Sequence, residues 1–387
     1  MTSGHDVIVV GLGAMGSCAL AELAARGVRV LGIDRFDPPH ALGSSHGGSR
    51  VIRLSYFEHP DYVPLLRRAY EGFDRLSQDS GEALRHETGL VVGGAPGNAV
   101  SAGMLRSARE HGLEVEAIDG RELARRWPQF SVPADWEIVT ERRGGFVRPE
   151  ATIRAALARA ERLGARVIRN SAVLGWGAGG SSGSGARAWV DTATGCFEAG
   201  ALVLSGGAWM PELLGVPRVR LEPTRETLVW IDDAGDRSWS DASMPVWLFD
   251  RGLEPAVYGI PAFAGMGEPG GMKVGLHGRG PRVRPEQISE PVDEAIVRET
   301  VVATVERLPS ALARSVTAAK HCLYTMSSDS DFVVGLHPSH ANVAIACGFS
   351  GHGFKFAPVM GEALADLATG GATKLPIGFL GPRRFGV

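Results

Sequence analysis

The chain has 387 residues, 44% of them hydrophobic and 21% charged, with a formal net charge of −3. That length admits two domains or one large one, and the near-neutral balance gives no electrostatic reason to expect nucleic acid or an anionic membrane as a partner. Fifty-two glycines beside this apolar content imply tight turns and close backbone approaches rather than disorder.

No apolar run reaches the length that spans a bilayer. The start, MTSGHDVIVVGLG, has no basic n-region, so a secretory signal is not expected, and the end, Phe-Gly-Val, is not a peroxisomal tripeptide. Cys18, Cys196, Cys322 and Cys347 have neither CxxC pairing nor metal spacing, which suggests no disulfide framework or zinc site and a reducing cytoplasm as the simplest compartment.

Residues Asp6 to Val10 read as a short apolar strand. Gly11, Gly13 and Gly16 then form G-x-G-x-x-G around Leu12, Ala14 and Met15. A helical stretch from Ser17 to Arg26 follows, then a second strand from Val28 to Ile33 that ends at Asp34. Strand, glycine turn, helix, strand and acid together make the dinucleotide fingerprint. Gly11 permits the tight turn, Gly13 lets the backbone approach a pyrophosphate, and Gly16 lets the helix pack on the strand. The helix N-terminus offers N–H groups to phosphate. Asp34 can accept ribose hydroxyls, favouring an unphosphorylated ribose. This fingerprint alone does not separate NAD from FAD.

Asp61 to Leu76 reads as an amphipathic helix with apolar positions 62, 65, 66, 69, 73 and 76 and Asp61 as N-cap. A further helix is expected over 149–163 and a strand over 166–168. Gly177 to Gly185, almost pure Gly and Ser, reads as a mobile hairpin tip between strands near Val173 and Trp189. Residues 201–205 form a buried-type strand, and 221–280 is strand-rich. Val343 to Ala346 is another strand, followed by a helix over 358–367. His337-Pro-Ser-His340 lacks a third ligand and reads as a solvent-exposed turn rather than a metal site.

Four stretches besides the fingerprint carry a family likeness: Asp34 to His40 (DRFDPPH), Gly43 to Arg53 (GSSHGGSRVIR), Cys322 to Thr325 (CLYT) and Gly348 to Phe356 (GFSGHGFKF). In this order, over nearly the whole chain, they resemble the monomeric sarcosine oxidase and N-methyltryptophan oxidase family, FAD-dependent amine oxidoreductases of the D-amino acid oxidase superfamily. The resemblance implies an α/β fold: a Rossmann-like FAD-binding domain (1–85, 145–220 and 323–387) interleaved with a substrate domain (86–144 and 221–322) on a mainly antiparallel sheet. It implies FAD bonded through the Cys322 sulfur; a thiolate is the nucleophile such an attachment needs.

The same resemblance makes Arg53 and Lys355 a clamp for a substrate carboxylate, Lys273 the cation that assists oxygen, His277 an active-site histidine, and Tyr258 and Tyr324 pocket walls. Gly11, Gly13, Ala14, Met15, Gly16, Asp34, Arg35, Ser44, His46, Arg50, Gly351, Gly353 and Lys355 would contact the cofactor, with His46 and Arg50 facing the flavin ring. Composition supports the lysines independently. The chain has four lysines against thirty-six arginines, so a lysine at 273 or 355 suggests a need for a compact ammonium. Lys273 and His277 have even spacing, which puts both on one face of a strand. A few extra residues around Met266 to Gly270 depart from the family pattern.

The implied reaction is oxidation of a secondary amino acid, such as sarcosine or a larger N-methyl amino acid, to an imine with oxygen reduced to hydrogen peroxide. A cyclic imino acid such as proline or pipecolate as substrate, a flavin dehydrogenase with another acceptor, a nicotinamide enzyme and a non-enzymatic flavin subunit are the alternatives. The family habit implies a monomer.

Overall fold

The computed structural model describes residues 4–179, 187–265, 267 and 269–387. Among them the strands form two eight-stranded sheets and one three-stranded sheet. The first sheet is built on the fingerprint. His5–Val10 lies between Val30–Ile33 and Gly195–Leu204, parallel to both, and His340–Cys347 adds a further parallel strand beside Gly195–Leu204. These strands are apolar because both faces are covered. The helices Ala14–Ala25, Tyr62–Ser80, Pro149–Arg162 and Ala357–Gly370 pack together over one face, and their buried side chains merge with the sheet's in a single core.

Four of the parallel strands end at one place. Gly11, Asp34, Ser205 and Gly348, the residues just past their C-terminal ends, line one cleft. Ligands in open parallel sheets bind at these ends.

The second sheet walls the other side of the cleft, and its two-residue period decides which side chains face in. Register pairs Leu248 with Tyr258, Tyr258 with Gly275, and Gly275 with Leu228; one step along, Ile260 pairs with Lys273 and Lys273 with Trp230. Cys322 and Tyr324 stand on the adjoining strand Val316–Ser327, opposite Glu226 and Thr224. The three-stranded sheet, Arg50–Ile52 with Gly145–Val147 and Arg85–Glu87, carries Arg50 and delivers Arg53 to the cleft.

Two expectations, Asp61 as N-cap and an exposed His337, need correction. Asp61 precedes the Tyr62–Ser80 helix but caps nothing with its side chain, because its backbone is already helical at φ −61°, ψ −14°. His337 is buried rather than exposed: it ends the strand Val333–His337, and its Nε2 lies 2.9 Å from the Leu214 carbonyl oxygen. The boundary expected at 322/323 falls inside the strand Val316–Ser327, whose ladder with Leu221–Ile231 is continuous across it. The strands flanking the Gly/Ser tip are Val173–Ala178 and Ala188–Thr192, paired antiparallel. Residues 180–185 of the tip, and Met266 and Glu268 of the extra loop, lie outside the described residues.

Gly361 shows how tightly the helical layer is closed. A Cβ there would lie 2.6 Å from backbone and side-chain atoms of Cys18, whereas one at Gly370 would meet nothing within 4 Å. Gly361→Val is therefore expected to destabilise the chain by about 1–3 kcal/mol through overpacking. Gly370→Ala should be neutral or slightly stabilising. Denaturant midpoints of the two variants check the contrast.

Candidate active site

One continuous cleft runs from the ends of the parallel strands to the second sheet, enclosing about 2180 Å³ of space free of protein atoms and partly open to solvent. Its first half fits a dinucleotide. Gly11 has φ +84°, and a Cβ there would lie 2.5 Å from the Ser205 carbonyl oxygen; one on Gly16 would overlap the Gly11 carbonyl. Gly13 instead has its nearest neighbour, Ser45 Oγ, 3.9 Å from a Cβ position, so its side is open to the cleft. No side chain caps the helix Ala14–Ala25, which leaves first-turn N–H groups for an anion. Asp34 accepts from Leu12 N at 2.6 Å and Phe36 N at 2.8 Å, bracing the glycine turn while its carboxylate still lines the cleft. Burial pushes its carboxyl upward, opposed by these two N–H groups. Arg35 stands exposed at the mouth, 5.4 Å over the Trp209 ring. Together these residues fit FAD along this half of the cleft.

The second half collects buried cations. Arg50 donates to Ser44 O at 2.9 Å and to Cys322 Sγ at 3.1 Å. Burial pushes the Cys322 thiol up, while the charges of Arg50 and Lys273 pull it down. Lys273, 1% exposed, donates to Gly47 O at 3.1 Å and to Ser49 O. Burial and Arg50 push its ammonium well below the ordinary lysine value, and the Glu150 carboxylate opposes them. Glu150 also accepts from Gly47 N at 2.6 Å and from Gly48 N at 3.2 Å, so the Gly47–Ser49 turn is held by a carboxylate on its donors and an ammonium on its acceptors.

Arg53 does not stand free. Its Nη2 donates to both Glu58 oxygens at 2.8 and 2.7 Å, its Nη1 donates to Ser55 O at 3.1 Å, and its guanidinium lies 4.0 Å from the Phe57 ring centroid. Burial would raise the Glu58 carboxyl, but Arg53, His352 and Lys355 outweigh it and hold the group at about 2. The backbone just past Arg53 is fixed by buried Glu141, which accepts from Leu54 N at 2.7 Å and Ser55 N at 2.8 Å. Lys355 donates to His352 O at 2.8 Å; burial and then Arg53 lower its ammonium to about 7. His277 Nδ1 lies 3.1 Å from the Tyr324 hydroxyl, and burial lowers its imidazole, keeping the ring neutral.

The cleft thus gathers Gly11, Gly13, Ala14, Met15, Asp34, Arg35, Ser44, Arg50, Arg53, Tyr258, Lys273, His277, Cys322, Tyr324, Gly351, Gly353 and Lys355. Two expected residues stay outside it. Gly16 is consumed in helix–strand packing. His46 is buried behind the wall with Nε2 unpartnered, its ring lowered to about 3 by burial and by Arg50 and Lys273. Sequence reasoning missed Glu58, Glu141 and Glu150. Glu58, five residues after Arg53 in an otherwise apolar segment, was the one with a local signal; the other two act across 86 and 103 residues.

The FAD dependent oxidoreductase family model matches residues 6–367. The chain is 39% identical over 389 residues to a monomeric sarcosine oxidase of Streptomyces avermitilis, covering 99% of this chain and 98% of that one. It is 32% identical over 369 residues to an N-methyl-L-tryptophan oxidase of Salmonella newport, covering 95% of each. Among solved structures, NikD, an unusual amino acid oxidase essential for nikkomycin biosynthesis, matches with a TM-score of 0.83 at 22% identity over 98% of both chains. L-proline dehydrogenase from P. horikoshii matches with a TM-score of 0.83 at 21% identity over 100% of this chain and 99% of that one. These two likenesses concern the fold.

The lowered Lys355 ammonium has a consequence for stability. Between about pH 7 and its unfolded value of 10.5, the unfolded chain holds a proton there that the folded chain does not. Stability from this group therefore rises with pH across that window. Relative to Lys355→Met, the parent should gain stability from pH 7 to pH 9, as read by denaturant titration at each pH; a difference independent of pH would contradict the lowered value.

Proposed function

Since the chain belongs to the FAD dependent oxidoreductase family, we propose that it is an amine oxidase of secondary amino acids, in which Arg53 and Lys355 hold the substrate carboxylate. The observation that carries this reading is the meeting of two buried cations, Arg53 and Lys355, with the His277–Tyr324 pair in one cleft that also receives Cys322 and Lys273. When bound, FAD supplies the two-electron acceptor for the C–N bond and the route of those electrons to oxygen.

The chain's own residues do the rest. A fork and a point charge together suit a carboxylate, and the incoming negative charge favours the protonated Lys355 that burial disfavours in the empty cleft. To reach Arg53 the substrate carboxylate takes the place now held by Glu58, so binding exchanges one buried ion pair for another. Neutral His277, paired with Tyr324, accepts the proton that a protonated secondary amine loses before its lone pair can assist oxidation. Lys273 places a buried ammonium where negative charge developing on oxygen would be stabilised. For an N-methyl substrate, amine, oxygen and water give the demethylated amino acid, formaldehyde and hydrogen peroxide.

The Cys322 sulfur, facing the cleft beside Arg50, is the proposed point of covalent FAD attachment. Segments of the first sheet would hold the cofactor, and those of the second the substrate. The four cysteines are free, with Cys196 exposed, and a reducing cytoplasm suits them. The cleft wall beside Arg53 is apolar: Phe57 stacks on the guanidinium, and Leu90, Val92, Val246 and Leu248 continue from it. That wall favours an N-methyl amino acid with an apolar side chain, or a ring amine, over sarcosine.

Anaerobic mixing with sarcosine, N-methyl-leucine, N-methyl-phenylalanine and proline tests both levels through bleaching of the flavin band. Bleaching most efficient with an apolar member is expected. Preference for sarcosine would remove the side-chain assignment, and bleaching by none would remove the reading itself. Arg53→Met should raise KM about 30-fold or more, the cost of truncating a buried charged partner. Glu58→Gln should lower KM, because it relieves the competition for Arg53; an unchanged KM would show that Glu58 does not compete. Cys322→Ser should release on acid denaturation a flavin that the parent retains; release from both would end the covalent assignment.

A further inference from the structure

Arg53 and Lys355 reach the cleft from segments about three hundred residues apart, and they lie on no common sheet. Between them stands Tyr56, fully buried, which does not line the cleft. Its ring centroid is 4.2 Å from the Arg53 guanidinium carbon and 5.3 Å from Lys355 Nζ, so one ring is shared by both cations. Its hydroxyl lies 2.5 Å from His352 Nδ1.

The chemistry of the partners fixes the direction of that bond. His352 Nε2 is 3.0 Å from the Ser330 carbonyl oxygen, which can only accept, so Nε2 carries the proton. Burial lowers the imidazole to about 4, leaving it neutral, and Nδ1 is then an acceptor for the Tyr56 hydroxyl. The same residue's carbonyl oxygen accepts from Lys355 Nζ at 2.8 Å. Neither Tyr56 nor His352 is required by packing alone to be polar: Tyr62, Phe332 and Phe356 surround them.

We propose that Tyr56 and His352 are a positioning pair that couples Arg53 to Lys355, so that the two cations meet a substrate carboxylate as one unit. The proposal rests on the carboxylate-clamp reading above. Through its ring Tyr56 sets the plane against which Arg53 lies; through its hydroxyl it fixes the imidazole whose own backbone carbonyl holds the Lys355 ammonium. Neither residue takes part in the bond changes of the reaction, so the pair is expected to act on carboxylate binding and not on the oxidation step.

Tyr56→Phe isolates the hydroxyl, because the ring, its cation contacts and its aromatic neighbours remain. Carboxylates without an oxidisable amine, propionate and furan-2-carboxylate, are titrated calorimetrically into the purified holoenzyme. Affinity should fall roughly tenfold in Tyr56→Phe, the cost of leaving one buried partner unpaired. KM for the best substrate of the panel should rise in step, with kcat within about threefold, as expected when binding rather than chemistry is weakened.

His352→Leu should lose affinity likewise, while His352→Gln, which keeps one acceptor and one donor, should recover most of it. The double variant Tyr56→Phe/His352→Leu should lose no more than the worse single one, as partners in one interaction do. A Tyr56→Phe enzyme that binds both carboxylates like the parent, or that loses thermal stability with affinity unchanged, would overturn the coupling. A parent that binds neither carboxylate overturns the clamp on which it rests. Should His352→Leu fail to fold, Tyr56→Phe and His352→Gln still decide the matter.

Discussion

The structure turns on the burial of positive charge. Arg50, Arg53, Lys273 and Lys355 all face one cleft and are at least partly out of water, where an unpaired charge costs several kcal/mol. Among the described residues, only Glu58 makes a direct ion pair with one of them. The others rest on weaker compensation: carbonyl oxygens of Ser44, Gly47, Ser49 and His352, a thiol, and the faces of aromatic rings. Incomplete compensation leaves a site with a standing preference for an anion. The lowered ammonium groups of Lys273 and Lys355 express the same fact from the protein's side.

Such a site requires a rigid surround, because a cation held by single carbonyls moves if its loop moves. The surround is made of carboxylates on backbone donors, Glu141 and Glu226 buried and Glu150 half-buried. Glu141 fixes Leu54 and Ser55, Glu150 fixes Gly47 and Gly48, and Glu226 accepts from Arg279 N and Gly280 N, just past His277. Each carboxylate sits on an element remote in sequence from the loop it holds. Beyond Asp34 and Glu58, which line the cleft, these three carboxylates stand one layer outward, where they order the backbone around the cations.

What the sequence disclosed follows this division. The parallel strands, the glycine turn and Asp34 were legible because period, spacing and glycine placement are local properties. Cys322, Lys273 and Lys355 were legible through motif likeness and through the scarcity of lysine in an arginine-rich chain. His277 came from the same likeness, and it lies one residue past the strand Met272–Leu276 on which its even spacing to Lys273 had placed it. The pairing of Arg53 with Glu58 was only half legible: both residues lie in one segment, but nothing local says that the fork is filled. Glu141 and Glu150 were invisible, since their partners are backbone N–H groups that any sequence carries. His46, expected at the cofactor from its place in the loop after the second strand, is buried beside the cleft rather than lining it.

The glycines of the C-terminal motif show how the two halves of the cleft are brought to one distance. Gly351 has φ +81°, and a Cβ there would lie 2.3 Å from a Tyr324 ring carbon; Gly275 has the corresponding relation to Tyr258, with a Cβ 2.7 Å from its hydroxyl. Both tyrosines thus pack against backbone that carries no side chain. In the first case the ring bridges the second sheet to the loop of Lys355, and in the second it lies across neighbouring strands of that sheet. A larger residue at 351 would lift the Lys355 loop away from Tyr324, and with it from the His277 to which Tyr324 is bonded. Glycine at 351 therefore serves less as a turn residue than as the spacer that sets Lys355 at a fixed reach from the His277–Tyr324 pair, the dimension that an amino acid held as proposed would have to match.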